Sequence, residues 1–120
     1  CSATGTIRRH PEIIWQHSAS DLTVLQEKQL NLLNAALEMV KTSGLIIYTV
    51  CSLDKDEGCR VVNKFLKKHK NVKKIPIKET ELIGLPNLTS KSGDLRTMPY
   101  HLKEMGGMDG FYAVRLQRTF

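Results

Sequence analysis

The sequence lacks the paired cysteines that a disulfide framework or a zinc site would need. Its three cysteines are Cys1, Cys51 and Cys59. The number is odd and no CxxC pair occurs, which argues against both kinds of site. Free thiols persist in a reducing cytosol, where they can act as nucleophiles. We therefore expect a cytoplasmic protein without a metal site.

The sequence also lacks any long apolar run. No stretch approaches the roughly 20 apolar residues that cross a bilayer, and no cationic leader followed by an apolar segment is visible. The sequence thus predicts neither a membrane partner nor secretion. What is present, 41% hydrophobic and 25% charged residues in a chain of 120, is typical of one modest soluble domain.

Positive charge is abundant and unevenly placed. The net charge is +6, and seven lysines fall within residues 64–78. Arg8 and Arg9 form a second basic point near the start. Such a distribution suits a polyanionic partner such as RNA, with Lys67 and Lys68 among the contacts. A solvated helix end and strand edge explains the lysine run equally well, and both interpretations stay open.

The first half of the chain predicts a helix followed by a strand. Ser20 has the side chain of an N-cap. Apolar residues then recur at the helical period to about Thr42, and Gly44 ends the helix. Residues 45–50 are continuously apolar and rich in β-branched types, which predicts a strand buried on both faces.

The second half predicts a helix, an edge strand and a long loop. Asp54 can cap a helix that ends near His69. Residues 72–77 predict a strand that Pro76 confines to the edge of a sheet. Residues 79–108 have no clear period and predict a long loop with a short helical turn.

A last strand is predicted at residues 111–116. Helices that alternate with buried strands favour an α/β fold with three layers. No helix separates the strand at 72–77 from the last strand, so we expect these two strands to be antiparallel.

Cys51 is the first candidate for chemistry, because it directly follows the predicted strand at residues 45–50. Ligands of open α/β sheets bind at the carboxyl ends of the strands. A helix beginning just after the cysteine would also lower the pKa of a thiol, which suits a nucleophile. The alternative is a small buried hydrophobic residue, as most free cysteines are.

The other two cysteines have different surroundings. Cys1 precedes a run of small residues, Ser2 to Gly5, which lets a ligand approach the backbone closely; an ordinary turn is the alternative. Cys59 lies beside Val61 in the second predicted helix, and we assign it to packing.

Three segments, in this order along the chain, resemble the RsmB/Nop/Sun family of RNA cytosine-5 methyltransferases. Residues 1–13, CSATGTIRRHPEI, resemble its first cysteine motif and the Arg-Arg-His-Pro extension. Residues 48–53, YTVCSL, resemble its second cysteine motif, YSTCSL, and residues 109–116, DGFYAVRL, are similar to its DGFFAARL strand. Arg96 and Pro99 match residues that usually come shortly before that strand. The resemblance covers essentially the whole chain.

The resemblance implies a reaction that needs two thiols. In the family, the cysteine matching Cys51 attacks carbon 6 of cytosine, and carbon 5 then becomes nucleophilic enough to take a methyl group from S-adenosylmethionine. The cysteine matching Cys1 assists removal of the carbon 5 proton and release of the product. The expected substrate is structured RNA, ribosomal RNA above all, whose target base leaves its stack.

The resemblance also implies a fold and its limits. We expect residues 1–120 to form the C-terminal part of a Rossmann-like class I methyltransferase domain. Its last strand, 111–117, would lie antiparallel between strands 45–50 and 72–77. The N-terminal half that binds the cofactor in the family is absent from this sequence. We therefore expect weak or no cofactor binding, no activity of these residues alone, and exposed sheet surface through which chains can self-associate.

Two positions depart from the family pattern. Val50 stands where the family has Thr, which removes a hydroxyl beside the nucleophile. Gly58 stands where the family commonly has Asn after a Glu, here Glu57. Both departures bear on how the second cysteine is held.

Arg8, Arg9 and His10 have two interpretations. They contact the RNA backbone or the target nucleotide, or they fix the first helix through salt bridges. We expect Trp15 to pack rather than to stack on a base. The rival to the enzyme is a non-catalytic, basic RNA-binding module; a second rival is a folding unit with no activity of its own.

Overall fold

A computed structural model describes residues 1–120. The chain forms two α-helices and four β-strands: α1 (Ala19–Met39), β1 (Leu45–Val50), α2 (Cys59–Lys68), β2 (Val72–Lys74), β3 (Leu95–Thr97) and β4 (Phe111–Arg118). Short 3-10 helices cover Thr4–Thr6, Pro11–Trp15, Glu79–Leu82 and Lys103–Met105.

The sheet is built around β4, which lies between β1 and β2 and is antiparallel to both. The register pairs Ile47 with Arg115 and Val50 with Tyr112. This confirms the predicted position of the last strand, and β1 has the predicted bounds. The carboxyl end of β1 therefore lies beside the beginning of β4.

Two short strands, β2 and β3, pair with β4 where the sequence predicted one longer strand. β2 ends at Lys74, although the amide of Ile75 still donates to the carbonyl of Arg115 at 2.8 Å. Pro76 follows and cannot donate, which ends the ladder. β3 then pairs with the first residues of β4. It lies inside the segment predicted to be a loop. The sequence does not predict this strand, because three residues are too few to show a strand period.

Both helices pack on one face of the sheet, where α1 and α2 share a core with β1 and β4. The members of this core are Leu33, Leu37, Ile46, Tyr48, Val50, Val61, Val62, Phe65, Val72, Tyr112, Val114 and Leu116. The prediction of three layers is therefore wrong for residues 1–120, which form two: the sheet and one layer of helices. The prediction that β1 is buried on both faces is also wrong, since Leu45 and Ile47 are 52% and 61% exposed. No segment of the chain covers that side of β1.

α1 begins earlier and ends earlier than predicted. Its N-cap is Ser18 rather than Ser20, because the backbone amide of Ser18 donates to the carboxylate of Asp21 at 2.7 Å. That bond, together with one from the Ser18 hydroxyl, holds the pKa of Asp21 below its ordinary value. The backbone becomes extended at Val40, so the helix stops before Thr42.

No helix of the structure is both long and apolar enough to cross a membrane.

α2 begins later than predicted. Its N-cap is Gly58, not Asp54. The carboxylate of Asp54 instead accepts the backbone amide of Asp56 at 2.7 Å and stabilises a turn ahead of the helix. The helix ends at Lys68, as expected, and buries Phe65 completely.

Candidate active site

The fold brings two of the three cysteines together. The Sγ atoms of Cys1 and Cys51 lie 3.3 Å apart, although the residues are fifty positions apart in sequence. Cys1 is exposed and Cys51 is half-buried. Cys59 instead packs against the hydrophobic core. A nucleophile and an assisting group need this kind of closeness.

The first loop is joined to the end of β1 through backbone contacts. The amide of Gly5 donates to the carbonyl of Cys51 at 2.9 Å, and the amide of Gly110 donates to the carbonyl of Gly5 at 2.8 Å. A Cβ atom at Gly5 would lie 1.8 Å from the carbonyl oxygen of Gly110. Gly5 therefore lacks a side chain because the backbone of Gly110 lies against it, whereas the sequence suggested the approach of a ligand.

Cys51 does not lie in the first turn of a helix. The strand ends at Val50, as the sequence predicts, but α2 starts only at Cys59 and turns fill the segment between. The sequence predicted that a helix starting just after Cys51 would lower the pKa of its thiol, but no helix starts there. Other residues must fix the loop that carries this thiol.

Glu57 is the centre of the polar contacts behind the two thiols. Its side chain is completely buried. One carboxylate oxygen accepts the backbone amide of Ser2 at 2.8 Å and the amide of Gln29 at 3.1 Å. The other accepts the hydroxyls of Ser2 and Ser52, the latter at 2.6 Å. Ser2 and Ser52 directly follow the two cysteines of the site.

The surroundings of Glu57 favour its ionised form. Burial raises the pKa of this carboxyl, because a low dielectric disfavours charge. The hydrogen bonds from Ser2, Ser52 and Gln29 lower the pKa by more, so it lies below its ordinary value. A charged carboxylate thus sits behind the thiols with all its acceptor positions used.

Ser52 and the residue after it have further partners. Arg96 donates to the Ser52 carbonyl at 2.5 Å, and its guanidinium lies over the ring of Tyr112, 5.2 Å from the centroid. The Thr4 hydroxyl accepts the amide of Leu53 at 2.9 Å. Arg96 matches a family position in the sequence, but the sequence predicts no role for it. Its contact with the Cys51 loop joins residues forty-four positions apart, so no local sequence pattern could reveal it.

Arg8 and Arg9 are both engaged by Asp109. The Arg8 Nε lies 2.9 Å from one carboxylate oxygen, and Arg9 contacts the other at 2.5 Å. Hydrogen bonding from Arg9, against some desolvation and with help from Arg8, holds the pKa of Asp109 below its ordinary value. The salt bridges therefore join the first loop to the start of β4, not to α1. The arginine side chains remain 38% and 53% exposed.

Arg9 also lies within electrostatic reach of the candidate nucleophile. The hydrogen bond and the charge of Asp109 raise the pKa of Arg9, and Cys51 adds a smaller contribution of the same sign. His10 is exposed, with its Nδ1 at 3.3 Å from a carboxylate oxygen of Glu12. Both basic residues are exposed in the loop that follows Cys1.

The other predicted basic contacts lie elsewhere. Lys67 and Lys68 are exposed in the last turn of α2, a helix about 15 Å long that begins two residues after Glu57. The structure does not bring them beside the thiols. Trp15 is 85% exposed, so the expectation that it packs is wrong. Its 3-10 helix buries Ile13 instead.

A groove adjoins the thiols at the unpaired edge of β1. Its lining is mostly apolar and comes from α1 and β1, with Cys1 at one end; it includes Gln29, Leu32, Leu33, Ala36 and Ile47. Acidic groups free to bind a ribose or an ammonium group are absent from this lining, and Glu57 is already fully bonded. No cluster of three or more His, Cys, Asp or Glu side chains that could hold a metal ion occurs.

Residues 1–117 match the family model described as 16S rRNA methyltransferase RsmB/F. The ribosomal RNA small subunit methyltransferase B of Photorhabdus laumondii is 33% identical over 118 residues, which are 98% of this chain and 24% of that protein. Its namesake from Thermus thermophilus is 33% identical over 99% of this chain and 27% of that protein. The chain therefore spans about a quarter of the length of these relatives.

Two crystal structures share the fold. That of PH0851 has a TM-score of 0.84 and 28% identity, covering 98% of this chain and 25% of that chain. A methyltransferase homologue from Pyrococcus horikoshii has a TM-score of 0.71 and 25% identity, covering 98% and 36%. The fold is that of part of a Rossmann-like methyltransferase, as the sequence predicts.

The family model identifies which methyltransferases the chain is related to. The chain belongs to the RsmB/F family of 16S rRNA methyltransferases, which confirms the resemblance drawn from its motifs.

Proposed function

We propose that the chain carries the thiol half of a ribosomal RNA cytosine-5 methyltransferase, with Cys51 as the nucleophile. The observation that carries this proposal is the 3.3 Å separation of the Cys1 and Cys51 sulfurs at the carboxyl end of β1. Family membership supplies the reaction class, since the relatives are named ribosomal RNA small subunit methyltransferases.

The two thiols divide the chemistry between them. The Cys51 thiolate bonds to carbon 6 of the cytosine, which pushes electron density to carbon 5 and makes it nucleophilic. Once carbon 5 carries its new substituent, its proton must leave and the bond from carbon 6 to sulfur must break. Cys1 is close enough to assist that proton removal, and elimination then frees Cys51 and the product.

S-adenosylmethionine is the methyl source that the family implies. The described residues do not form a site that fits it, because the groove beside Cys1 is apolar and the nearby carboxylate of Glu57 is saturated. We place its binding residues outside residues 1–120. On this proposal these residues alone bind the cofactor weakly or not at all, and tight binding by them in a cofactor titration would contradict it.

Positive charge supports RNA as the substrate. Arg8, Arg9 and His10 are exposed in the loop that follows Cys1, where they suit phosphates next to a base turned out of its stack. Lys67 and Lys68, exposed in the last turn of α2, form a separate group of positive charge. An RNA-modifying enzyme with free thiols would act in the cytoplasm, which we propose as its location. Self-association through the open side of β1 stays a prediction.

Covalent trapping on RNA that contains 5-fluorocytosine tests the roles of the thiols. We expect the whole natural protein to form a stable adduct, because fluorine at carbon 5 cannot leave as a proton does. Cys51→Ala should abolish the adduct, while Cys1→Ala should retain it. Cys59→Ala is the matched control, since Cys59 packs in the core, and it should form the adduct.

The opposite pattern would contradict the assignment. If Cys51→Ala forms the adduct and Cys1→Ala does not, the two roles are exchanged. If no variant matters and RNA binding merely weakens steeply with salt, the protein is a non-catalytic RNA-binding module.

A further inference from the structure

Glu57 lies behind the two thiols without touching either of them. It is fully buried and its carboxylate accepts four hydrogen bonds, two from Ser2, one from Ser52 and one from Gln29. Ser2 follows Cys1 and Ser52 follows Cys51. One side chain therefore joins the two loops that carry the thiols, and it is the most buried ionisable group of the site.

The hydrogen bonds of Glu57 hold the backbone of one cysteine loop and a side chain of the other. The carboxylate bonds the Ser2 backbone amide at 2.8 Å, which fixes the peptide group next to Cys1. The Ser52 hydroxyl, 2.6 Å from the carboxylate, also accepts the backbone amide of Asp54 at 3.1 Å. The turn after Cys51 is thereby tied to the same anion as the loop of Cys1.

Glu57 is itself held at a fixed place. Its backbone carbonyl accepts the hydroxyl of Tyr48 at 2.6 Å, and Tyr48 is part of the hydrophobic core. A charged, fully satisfied group in a low-dielectric surrounding has few alternative arrangements, since every unmade bond would be costly. The core thus determines where the carboxylate sits, and the carboxylate determines where the two loops sit.

We infer that Glu57 is a positioning residue that sets the distance between the Cys1 and Cys51 sulfurs. The inference rests on the proposed function for its meaning in catalysis, but its geometric content stands without it. Nucleophilic catalysis by two groups depends steeply on placement, and a displacement of about 1 Å can lower a rate about hundredfold.

The test is a reagent that bridges neighbouring thiols, applied to the whole natural protein. Dibromobimane reacts with two thiolates in turn, forming two carbon–sulfur bonds and releasing two bromide ions. The peptide pair containing Cys1 and Cys51 is quantified by mass spectrometry. Glu57→Gln keeps the shape but turns one acceptor oxygen into an amide donor. We expect it to slow bridging by about tenfold or more, the factor that corresponds to one charge-assisted hydrogen bond.

Asp94→Asn is the matched control. Asp94 is also a buried carboxylate, bonded to the hydroxyl of Tyr112 at 2.7 Å and to Lys74 at 2.9 Å, but it contacts neither cysteine loop. The same chemical change there should leave the bridging rate unchanged. Equal bridging in wild type and in folded Glu57→Gln would overturn the inference.

A second variant decides the matter if Glu57→Gln does not fold. Ser52→Ala removes one donor and leaves the carboxylate in place, and we expect it to slow bridging by several-fold. Bridging at the wild-type rate in this variant as well would overturn the inference. The outcome does not depend on RNA, so it is separable from the adduct test: a protein that forms no adduct can still bridge its thiols in a manner that depends on Glu57.

Discussion

Two carboxylates hold the first loop of this chain, and they do so in opposite surroundings. Glu57 is completely buried and bonds Ser2 and Ser52. Asp109 binds Arg8 and Arg9, whose side chains are 38% and 53% exposed. The Asp109 side chain is itself 11% exposed, so water can replace part of a lost contact in this cluster, but it cannot reach Glu57.

The difference separates two tasks within one loop. The end that carries Cys1 is fixed from inside the protein, where geometry is rigid. The end that carries the two arginines is held at the surface by pairs that salt weakens. The two guanidinium groups can be reached from solvent, whereas Glu57 cannot.

Removing the buried carboxylate should have the largest effect on stability. Glu57→Ala leaves the donors of Ser2, Ser52 and Gln29 without an acceptor, and we expect the free energy of unfolding to fall by about 3 kcal/mol. Chemical denaturation followed by circular dichroism measures it. Asp109→Ala is the comparison and should cost clearly less. Equal losses for the two variants would show that burial does not distinguish these clusters.

A buried hydroxyl without prepared partners should have the next largest effect. Val50 is 7% exposed and belongs to the hydrophobic core. Val50→Thr restores the family's residue but places a hydroxyl among apolar side chains, and we expect it to lower the unfolding free energy by about 1–2 kcal/mol. Ile46→Val, a core change without a polar group, is the control for packing alone. A gain in stability would mean that the hydroxyl finds a partner here.

The same residue shows what the sequence could and could not reveal. The departure at Val50 was interpreted as a hydroxyl lost beside the nucleophile, yet strand alternation directs this side chain into the core. The residue period predicted β1 and β4, and the family motifs pointed to Cys1 and Cys51 as the two thiols of one site. The Glu57 contacts were not predictable, because they join residues from three distant segments.

Other errors have similar physical origins. The missing β3 is three residues long and is defined only by its pairing with β4. The Ser18 cap and the late start of α2 depend on which of several equivalent side chains bonds which amide. The open face of β1 could not be distinguished from a buried one, because Leu45 and Ile47 are apolar in either case.

The surface cluster should respond to salt where the buried one does not. Asp109→Asn weakens the attachment of Arg8 and Arg9, and we expect the loss of stability to shrink as ionic strength rises, since exposed pairs are screened. Denaturation in low and high salt measures this. The loss caused by Glu57→Gln should be nearly independent of salt, because its partners are neutral and buried. A salt-independent effect at Asp109 would argue for a structural role beyond charge.

The smallest expected effect concerns a partly exposed ion pair on the other side of the sheet, whose Arg115 and Glu81 side chains are 23% and 41% exposed. Arg115 bonds the carboxylate of Glu81 at 2.9 Å, and this bond, aided by the Lys78 backbone, lowers the pKa of Glu81 to about 2. Because the folded pKa is depressed, the pair stabilises the fold above the carboxyl's ordinary range and ceases to do so as the pH falls toward about 2. An NMR titration of the Glu81 carboxyl should show this low midpoint, and Arg115→Gln should return it toward the ordinary value. An unshifted midpoint in the wild-type chain would mean that even this bidentate pair is lost to solvent.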